Sequence, residues 1–498
     1  MALDIFLADE AATIRFGEDM ALALKRGDYV GLSGDLGAGK STFARALIRA
    51  VADDALLDVP SPTFTLVQSY DLRLPVAHFD LYRIADAAEI DELGFDEALS
   101  DGICLVEWPE KGEGTLPADG ITLRFTHEGD GRRVAVDAPA PALARIRRSL
   151  AIRAFLDEAG YQDAIRRHLT GDASVRAYEH VRSGGARYVL MDAPRHTPGP
   201  ILADGKYYQQ IAHIAEDVKP FIAVGRHLVS RGLRAPAIHE ADMEQGILLI
   251  EDLGSDGVLD ANGAPIAERY RESAACLAHM HGQAFERDLP VAEGIIHHVP
   301  DFDRDAMQIE VSLLTDWYLP WKRGTPASEE ERRAYIAIWD ALIESLSGAE
   351  HNLLLRDFHS PNIIWRPRAA GIDRVGIIDF QDAMIGPSAY DVASLVQDAR
   401  VDVPEDMAGD VLDHYLSLRE RQGGFDRDRF LRDWHVMAAQ RNCKLAGIWV
   451  RLMQRDGKPA YMRHMPRTFR YLERALSHPD LAPLRAWCEK AGILATES

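Results

Sequence analysis

The sequence predicts an α/β domain followed by a larger α+β domain with two lobes. The chain has 498 residues, more than one hydrophobic core usually serves. Strand-like apolar runs alternate with helix-like segments up to about residue 137, which is typical of an α/β sheet domain. Beyond that point the chain is first rich in strand-like runs and then, from about Pro265, in amphipathic helical segments.

An Ala/Pro stretch at residues 137–143 predicts a short, semi-stiff linker, because proline fixes its own dihedral angle and favours extended neighbours. We therefore divide the chain into residues 1–140 and residues 150–498. Strands are predicted at residues 29–33 and 103–106 before the linker, and at residues 188–191 and 246–250 after it.

Composition limits the classes of function. The net charge of −22 argues against a general affinity for nucleic acid or anionic lipid, since such binding draws on clustered Lys and Arg. The four cysteines form no C-x-x-C pair, which predicts buried thiols and no zinc knuckle or disulfide framework. The first residues lack a signal-peptide pattern, and no apolar run is long enough for a membrane helix, so we expect a cytoplasmic location.

A nucleotide-binding motif lies near the N-terminus. Residues 34–42 match G-x-x-x-x-G-K-[ST] between a strand-like run and a helix-forming run, the context of a P-loop. Glycines let backbone N–H groups surround phosphates, the lysine reaches the β- and γ-phosphates, and the first hydroxyl can coordinate Mg²⁺. We expect ATP and Mg²⁺ to bind here through Gly34, Gly37, Gly39, Lys40, Ser41 and Thr42.

Two carboxylates complete the predicted P-loop NTPase site. Asp80 and Glu107 each stand at the end of a strand-like run. A metal-bound triphosphate needs carboxylates, and the ends of successive parallel strands meet at one edge of a sheet. Taken singly, either residue would more often be a solvated charge at a strand end.

Four segments of this domain resemble, in order, the signatures of the TsaE family of ATPases in tRNA threonylcarbamoyladenosine biosynthesis. They are residues 34–41, 61–66, 78–83 and 107–110. The resemblance implies that Ser41 and Glu107 help to hold Mg²⁺, that Asp80 occupies the Walker B position, and that residues 61–65 form a nucleotide-responsive loop. It also implies TsaD and TsaB proteins as partners. Trp108, in the last segment, is equally consistent with ordinary core packing.

A second phosphotransfer motif lies in the C-terminal part. The spacing Asp-x-x-x-x-Asn from Asp357 to Asn362, followed by Asp379-Phe380 after an apolar run, reproduces the pattern of kinase catalytic loops. Such a site needs a base to accept the proton of the attacking hydroxyl and ligands that hold Mg²⁺ against ATP. We interpret Asp357 as the base, with Asn362 and Asp379 as the metal ligands. The pattern predicts the protein-kinase-like bilobal domain.

From about residue 151 the chain resembles the aminoglycoside phosphotransferase superfamily, with Glu251 and Asp252 in the adenine-binding hinge. Residues 172–176, 188–194, 355–362 and 440–444 resemble the AmgK family of kinases for N-acetylmuramate and N-acetylglucosamine, which implies phosphorylation at the 1-position. Two positions depart from most kinases. Met191 replaces the usual phosphate-pairing lysine, which leaves Arg176 and Arg187 as candidates, and Gln381 replaces a glycine, which suggests a loop that does not flip.

Residues for the acceptor are less sharply marked. Glu310, with Trp317 and its aromatic neighbours, could contact a sugar or could pack in the core. Arg441 and Lys444 suit an anionic lactyl group, or are solvated helix charges. His359 beside the catalytic loop favours a scaffolding role over that of a second base.

Three hypotheses follow from these residues. The leading one is a fusion of a TsaE-like ATPase with an amino-sugar 1-kinase. The alternatives are a second domain that phosphorylates choline, homoserine or an aminoglycoside, and a first domain that acts as an ATP-controlled binding module. A choline site needs an aromatic cage, and an aminoglycoside site needs a dense acidic lining.

Overall fold

The computed structural model describes residues 3–84, 89–112, 114–169, 176–195, 201–203 and 205–494. Contacts divide the chain into two compact units. Unit 1 comprises Met1–Ala193 and Glu240–Ile250, and unit 2 comprises Pro194–His239 and Glu251–Ser498. The contacts therefore group the P-loop motif with the first strands of the second domain. The sequence-based division at residues 140–150 stays a prediction.

The N-terminal part of unit 1 is an α/β sheet domain. Its elements are β1 (Leu3–Leu7), α1 (Glu10–Ala23), β2 (Tyr29–Ser33), α2 (Lys40–Ala52), β3 (Val67–Tyr70), β4 (Val76–Asp80), α3 (Glu89–Glu92), α4 (Phe95–Asp101), β5 (Ile103–Glu107), β6 (Ile121–Glu128) and β7 (Gly131–Asp137). Among the described residues these strands form a seven-stranded sheet of order β1-β7-β6-β2-β5-β4-β3. The central strands β2, β5 and β4 are mutually parallel, and β4 and β5 are buried throughout, as expected for strands covered on both faces. The predicted strands at residues 29–33 and 103–106 are confirmed.

The predicted Ala/Pro linker is wrong. The segment begins helix α5 (Ala140–Glu158), with Pro139 as its N-cap residue and Pro141 in its first turn. Proline is compatible with the first turn of a helix, because the N–H groups there have no intrahelical partner and the fixed φ angle is helical. The chain thus leaves the first sheet domain through a packed helix of 19 residues.

The second sheet follows α5. The elements after it are β8 (Ile165–Leu169), β9 (Ala177–Ser183), β10 (Ala186–Asp192), β11 (Ile201–Ala203), β12 (Lys206–Tyr207), α6 (Tyr208–Ile211), α7 (Lys219–Ser230), β13 (Ile238–Asp242) and β14 (Ile247–Glu251). In the described chain a five-stranded sheet has the order β13-β14-β10-β9-β8. Gly184 and Gly185, both with positive φ, form the two-residue turn of the β9–β10 hairpin, where glycine is favoured.

The rest of unit 2 is mostly helical, as predicted. Its elements are α8 (Ala267–His281), β15 (Asp288–Ala292), β16 (Ile295–His298), α9 (Arg304–Leu313), α10 (Leu319–Arg323), α11 (Glu329–Ser345), β17 (His351–Leu354), β18 (Ile363–Trp365), β19 (Val375–Ile377), β20 (Met384–Pro387), α12 (Ala389–Val396), α13 (Glu405–Gln422), α14 (Arg427–Gln454), α15 (Met465–Ala475) and α16 (Ala482–Lys490). A π-helical turn, Leu314–Tyr318, joins α9 to α10. Helix α14 is buried along most of its middle and contacts α9, α12 and α15. Within the ranges described above, no helix combines the length and apolar character needed to span a membrane.

Candidate functional sites

The loop between β2 and α2 has a backbone that only glycine adopts easily. Gly34, Gly37 and Gly39 have φ angles of 135°, 78° and 105°. A Cβ at Gly34 would lie 2.3 Å from the backbone oxygen of Phe125. Gly39 is the N-cap of α2, so the loop leads directly to the positive end of that helix dipole. This shape is the one that a phosphate-binding loop requires.

Lys40 lies folded over this loop. Its Nζ donates to the backbone oxygens of Gly34 at 2.6 Å and Asp35 at 3.0 Å, and it lies 3.8 Å from the centroid of the Trp108 ring. Burial lowers the pKa of Lys40, and the nearby carboxylates, Glu107 foremost, oppose that shift. Trp108 is half-buried and packs against the core, which is the plain packing role considered from the sequence, and its ring also lies against Lys40.

The two strand-end carboxylates lie side by side. Asp80 and Glu107 are register partners in the parallel β4–β5 pair, which confirms their predicted placement at one edge of the sheet. Ser41 Oγ donates to Glu107 Oε2 at 2.9 Å. His78 Nε2 lies 3.1 Å from Glu107 Oε1, and both side chains are almost fully buried. His78 has no role predicted from the sequence, although it lies two residues before Asp80 in one of the four TsaE-like segments.

Asp80 forms hydrogen bonds with a different segment of the chain from the one that Glu107 contacts. Its Oδ2 accepts hydrogen bonds from Thr63 Oγ1 at 2.6 Å and Ser61 Oγ at 3.1 Å, and its Oδ1 accepts one from the backbone N–H of Tyr82 at 3.0 Å. Asp80 thus holds the segment that was predicted to respond to nucleotide, whereas Glu107 holds the P-loop serine. Phe64, in the same segment, is 85% exposed.

In unit 2 the catalytic-loop motif lies between β17 and β18. Two buried carboxylates hold its backbone. Asp391 accepts from the N–H groups of Leu355 at 2.7 Å and Arg356 at 2.9 Å, and Asp398 Oδ2 accepts from the N–H of Ser360 at 2.7 Å. Burial raises the pKa of Asp391 to about 7. These bonds fix the loop on both sides of Asp357.

His359 lies beside Asp398, one of the two carboxylates that hold the loop, and its scaffolding role stays a prediction. It is buried, and its Nδ1 lies 3.7 Å from Asp398 Oδ1, an ion-pair distance that is too long for a hydrogen bond.

The β18–β19 pair brings the other two motif residues together. Asn362 directly precedes β18, and Asp379 is the second residue after β19. These two strands are antiparallel partners. Asn362 Nδ2 donates to the backbone oxygen of Asp357 at 2.9 Å and to Asp379 Oδ2 at 3.2 Å. Gln381 is buried and donates to Asp379 Oδ1 at 2.9 Å. Sequence positions 357, 362 and 379 therefore form one oxygen-rich cluster.

A fully buried carboxylate lies beside this cluster. Glu310, on α9, forms an ion pair with Arg356, lies 2.7 Å from Lys444 Nζ, and accepts a hydrogen bond at 3.0 Å from Gln440 Nε2. Both of its oxygens have protein donors, so the geometry does not support the expectation that Glu310 accepts hydrogen bonds from sugar hydroxyls. Its structural effect is to hold Arg356 and Lys444 in place.

Arg441 and Lys444 are not solvated helix charges. They are 2% and 8% exposed on the buried stretch of α14. Arg441 Nη1 donates to the backbone oxygen of Gln397 at 3.2 Å. Burial raises the pKa of Asp357, but Lys444, His359, Arg356 and Arg441 outweigh it, and the net shift is downward. Asp357 is thereby kept ionised.

The remaining predicted residues have mixed settings. Trp317 is half-buried in the π-helical turn. The Glu251 side chain forms an ion pair with Arg234 and its N–H bonds to Ala237 O at 2.8 Å, while Asp252 Oδ1 accepts from Gly254 N–H at 2.8 Å. Neither contact places adenine there, so the hinge stays a prediction.

The two arginine candidates lie at opposite ends of one hairpin. Met191 is buried on β10 and pairs with Tyr178 of β9, and Arg176 lies two positions before Tyr178, directly before the start of that strand. Arg187 is four positions away, or about 13 Å along the strand, near the turn. Arg176 therefore lies nearer to Met191 along the hairpin, and its role as the substitute stays a prediction. Residues 172–175 of the same motif lie outside the described residues.

Two family models match the chain in separate segments. The model described as "Threonylcarbamoyl adenosine biosynthesis protein TsaE" matches residues 7–135, and the one described as "Phosphotransferase enzyme family" matches residues 165–438. A TsaE of Haemophilus influenzae is 38% identical over 28% of this chain and 90% of its own length.

The chain belongs to both families.

Relatives of the phosphotransferase domain cover a larger part of the molecule. A protein of Caulobacter vibrioides named N-acetylmuramate/N-acetylglucosamine kinase is 33% identical over 69% of this chain and 96% of its own length. A protein of the same name from Pseudomonas aeruginosa is 32% identical over 63% of this chain and 85% of its own. The TsaE domain and the phosphotransferase domain thus each align with nearly complete relatives.

Proposed function

We propose that this chain is a bifunctional fusion. Its TsaE domain is an ATPase that supports tRNA threonylcarbamoyladenosine modification, and its phosphotransferase domain is an ATP-dependent kinase that phosphorylates N-acetylmuramate or N-acetylglucosamine at position 1. This chain aligns with 90% of the length of the TsaE relative and with 96% of the length of the kinase relative. The observation that carries the kinase assignment is the cluster of Asp357, Asn362 and Asp379.

The residues of the kinase cluster suit Mg²⁺ and ATP. Asn362 and Asp379 supply the oxygen ligands that Mg²⁺ prefers. With these two side chains as ligands, phosphate oxygens and water would complete the octahedral shell of Mg²⁺. Bound Mg²⁺ would neutralise charge on the phosphates. Asp357 then orients the acceptor hydroxyl and accepts its proton late in a loose transition state.

The charge around Asp357 favours a neutral or anionic acceptor. Arg356 and Lys444 share the carboxylate of Glu310, and both also face the ionised carboxylate of Asp357. Arg441 adds another buried cation close enough to lower the pKa of Asp357. Choline and aminoglycosides are cations and would be repelled, whereas the lactyl carboxylate of N-acetylmuramate would be attracted.

A competition among acceptors tests this proposal. Purified protein receives ATP with N-acetylmuramate, N-acetylglucosamine, choline, homoserine or an aminoglycoside, and initial rates are compared. We expect turnover of the amino sugars, with N-acetylmuramate preferred at low ionic strength. Brisk turnover of choline or an aminoglycoside, with neither amino sugar used, would contradict the assignment.

For the TsaE domain the fit to ATP and Mg²⁺ rests on the P-loop and on Ser41 with Glu107. A serine hydroxyl and a carboxylate 2.9 Å apart beside a glycine-rich loop form a hard oxygen pair suited to Mg²⁺. Lys40 donates hydrogen bonds to two backbone carbonyls of the loop, and we expect a bound phosphate to take the place of these acceptors. Measuring ATP hydrolysis with and without TsaD and TsaB proteins distinguishes an active ATPase from a binding module that turns over only with its partners.

Lys444 gives a pH prediction. Because it is the strongest of the groups that lower the pKa of Asp357, the change Lys444→Met should raise that pKa. A protonated Asp357 cannot accept a proton, so the acid limb of the kcat profile should move to higher pH. Lys490→Met, an exposed lysine on α16, is the matched control. An unchanged acid limb in Lys444→Met would remove Lys444 from the control of Asp357.

A further inference from the structure

Helix α5 forms hydrogen bonds along its length with helix α1 of the TsaE domain. Arg145 Nε donates at 2.8 Å to the backbone oxygen of Ala23, one of the carbonyls left without a partner at the end of α1, and its Nη2 reaches both oxygens of Asp28. One helical turn later, Ser149 Oγ donates to the backbone oxygen of Asp19 at 2.7 Å. The segment between the two family-model matches is thus anchored to the first domain.

A buried ionic cluster continues from this helix into the second sheet. The carboxylate of Asp19 accepts from Arg153 Nη2 at 2.9 Å and from Arg166 Nη1 at 2.8 Å. Arg166, on β8, also forms a bidentate pair with Glu179 of β9, at 2.7 and 2.8 Å. We call these four residues, Asp19, Arg153, Arg166 and Glu179, the junction cluster. It joins a helix of the TsaE domain to two strands of the phosphotransferase domain.

The junction cluster is neutral as a whole and nearly inaccessible to water. Its two carboxylates balance its two guanidinium groups, and Arg166 is completely buried. Burial lowers the pKa of Arg166, but Glu179 and Asp19 outweigh it and the net shift is upward. Exposed ion pairs contribute little to stability, whereas loss of one partner from a buried set leaves an uncompensated charge at high cost. Each sheet domain therefore depends on charges supplied by the other.

A second contact links β8 to the helix that follows the P-loop. Arg167 Nε lies 3.1 Å from Asp53 Oδ1, and Arg167 Nη2 lies 3.0 Å from Glu18 Oε1. Asp53 is the C-cap of α2, whose N-terminus is the P-loop. A cation at this end is also favourable for the helix dipole. Helix α2 thus has the P-loop at its N-terminus and a strand of the phosphotransferase domain at its C-terminus.

We propose that the TsaE domain is a permanent structural support of the five-stranded sheet that begins the phosphotransferase domain, with α1 as the docking surface and the junction cluster as the link. Strands β8 and β9 then open only when α1 separates from them, so the stabilities of the two domains are linked. This proposal does not depend on which acceptor the kinase uses.

Hydrogen exchange of the full-length protein without nucleotide tests this linkage. Asp19→Asn keeps the side-chain shape and removes the charge. We expect amides of β8, β9 and α1 to exchange at least about tenfold faster than in the unaltered protein, because opening of a buried ionic set becomes easier. Asp130→Asn, at the exposed β6–β7 turn, is the matched control and should leave these amides unchanged. Faster exchange confined to α1, with β8 and β9 unchanged, would overturn the proposal.

Arg167→Gln gives an independent test at a less buried contact. If Asp19→Asn is recovered only as aggregate, this milder variant should still fold, because Asp53 and Glu18 are more exposed than Asp19. We expect faster exchange, by about threefold, in both the last turn of α2 and β8. A response in one of these elements without the other would contradict a shared opening.

Discussion

Replacing Asp357 by asparagine should lower the rate of sugar phosphorylation by at least about a hundredfold, the usual cost of losing a general base. ATP affinity should change little, because the proposed ligands Asn362 and Asp379 keep their positions. Asn362 contacts the backbone oxygen of Asp357 and not its carboxylate. Asp391 likewise holds the loop through backbone N–H groups.

The measurement is steady-state kinetics with N-acetylmuramate, together with direct titration of nucleotide binding. Asp305→Asn, an exposed aspartate in the first turn of α9, is the matched control and should retain full activity. Near-full activity of Asp357→Asn would remove this residue from the mechanism. A parallel loss of ATP binding would instead indicate a structural role.

The change Lys40→Ala should abolish ATP hydrolysis by the TsaE domain while kcat for sugar phosphorylation stays within about twofold. Lys40 is the residue expected to reach the β- and γ-phosphates, and its ammonium already lies over the loop. The kinase cluster has its own base and metal ligands, so its chemistry does not need this lysine.

Hydrolysis at the P-loop is best measured in an Asp357→Asn background with the TsaD and TsaB partners present, since this removes phosphotransfer by the second domain. Adding Lys40→Ala to that background should eliminate the remaining hydrolysis. Lys25→Ala, an exposed lysine in the same domain, is the control and should have no effect. Loss of both activities in Lys40→Ala alone would contradict two separate phosphate sites.

The P-loop site was largely predictable from the sequence. The positions of β2, β4 and β5 follow from short apolar runs, and the ends of parallel strands meet at one edge. The proximity of Asp80 and Glu107 followed from that rule alone. Their different hydrogen-bond partners did not follow from that rule, because the contacts of Ser41 with Glu107 and of Thr63 with Asp80 depend on loop geometry.

The junction between the domains was not predictable in the same way. Two prolines suggested an extended linker, whereas their place at a helix start was the better interpretation, given the apolar periodicity of Leu143, Ile146 and Leu150 that follows. The partners of Asp19 lie more than 130 positions away and belong to no motif. Such pairings arise from tertiary packing, which local patterns do not encode.

The kinase site lies between these extremes. The motif residues were identified by spacing, but Glu310 was left open between a sugar contact, suggested by its aromatic neighbours, and packing in the core. Its position among the buried residues Ala306, Met307 and Val311 of α9 was the available signal, since a carboxylate on an apolar helix face requires buried cationic or hydrogen-bonding partners. Its partner Lys444 lies on α14, and only the fold brings the two helices together.

The position of the phosphate on the product tests most directly whether the second domain is an anomeric sugar kinase. The full-length protein is incubated with ATP and N-acetylmuramate, and the product is examined by phosphorus–proton correlation NMR. We predict a phosphorus signal coupled to the anomeric proton and a sugar that no longer reduces copper reagents, because the anomeric hydroxyl is the most acidic one and suits a single carboxylate base. A phosphorus signal coupled to the C6 methylene protons, with the reducing end intact, would contradict an anomeric kinase.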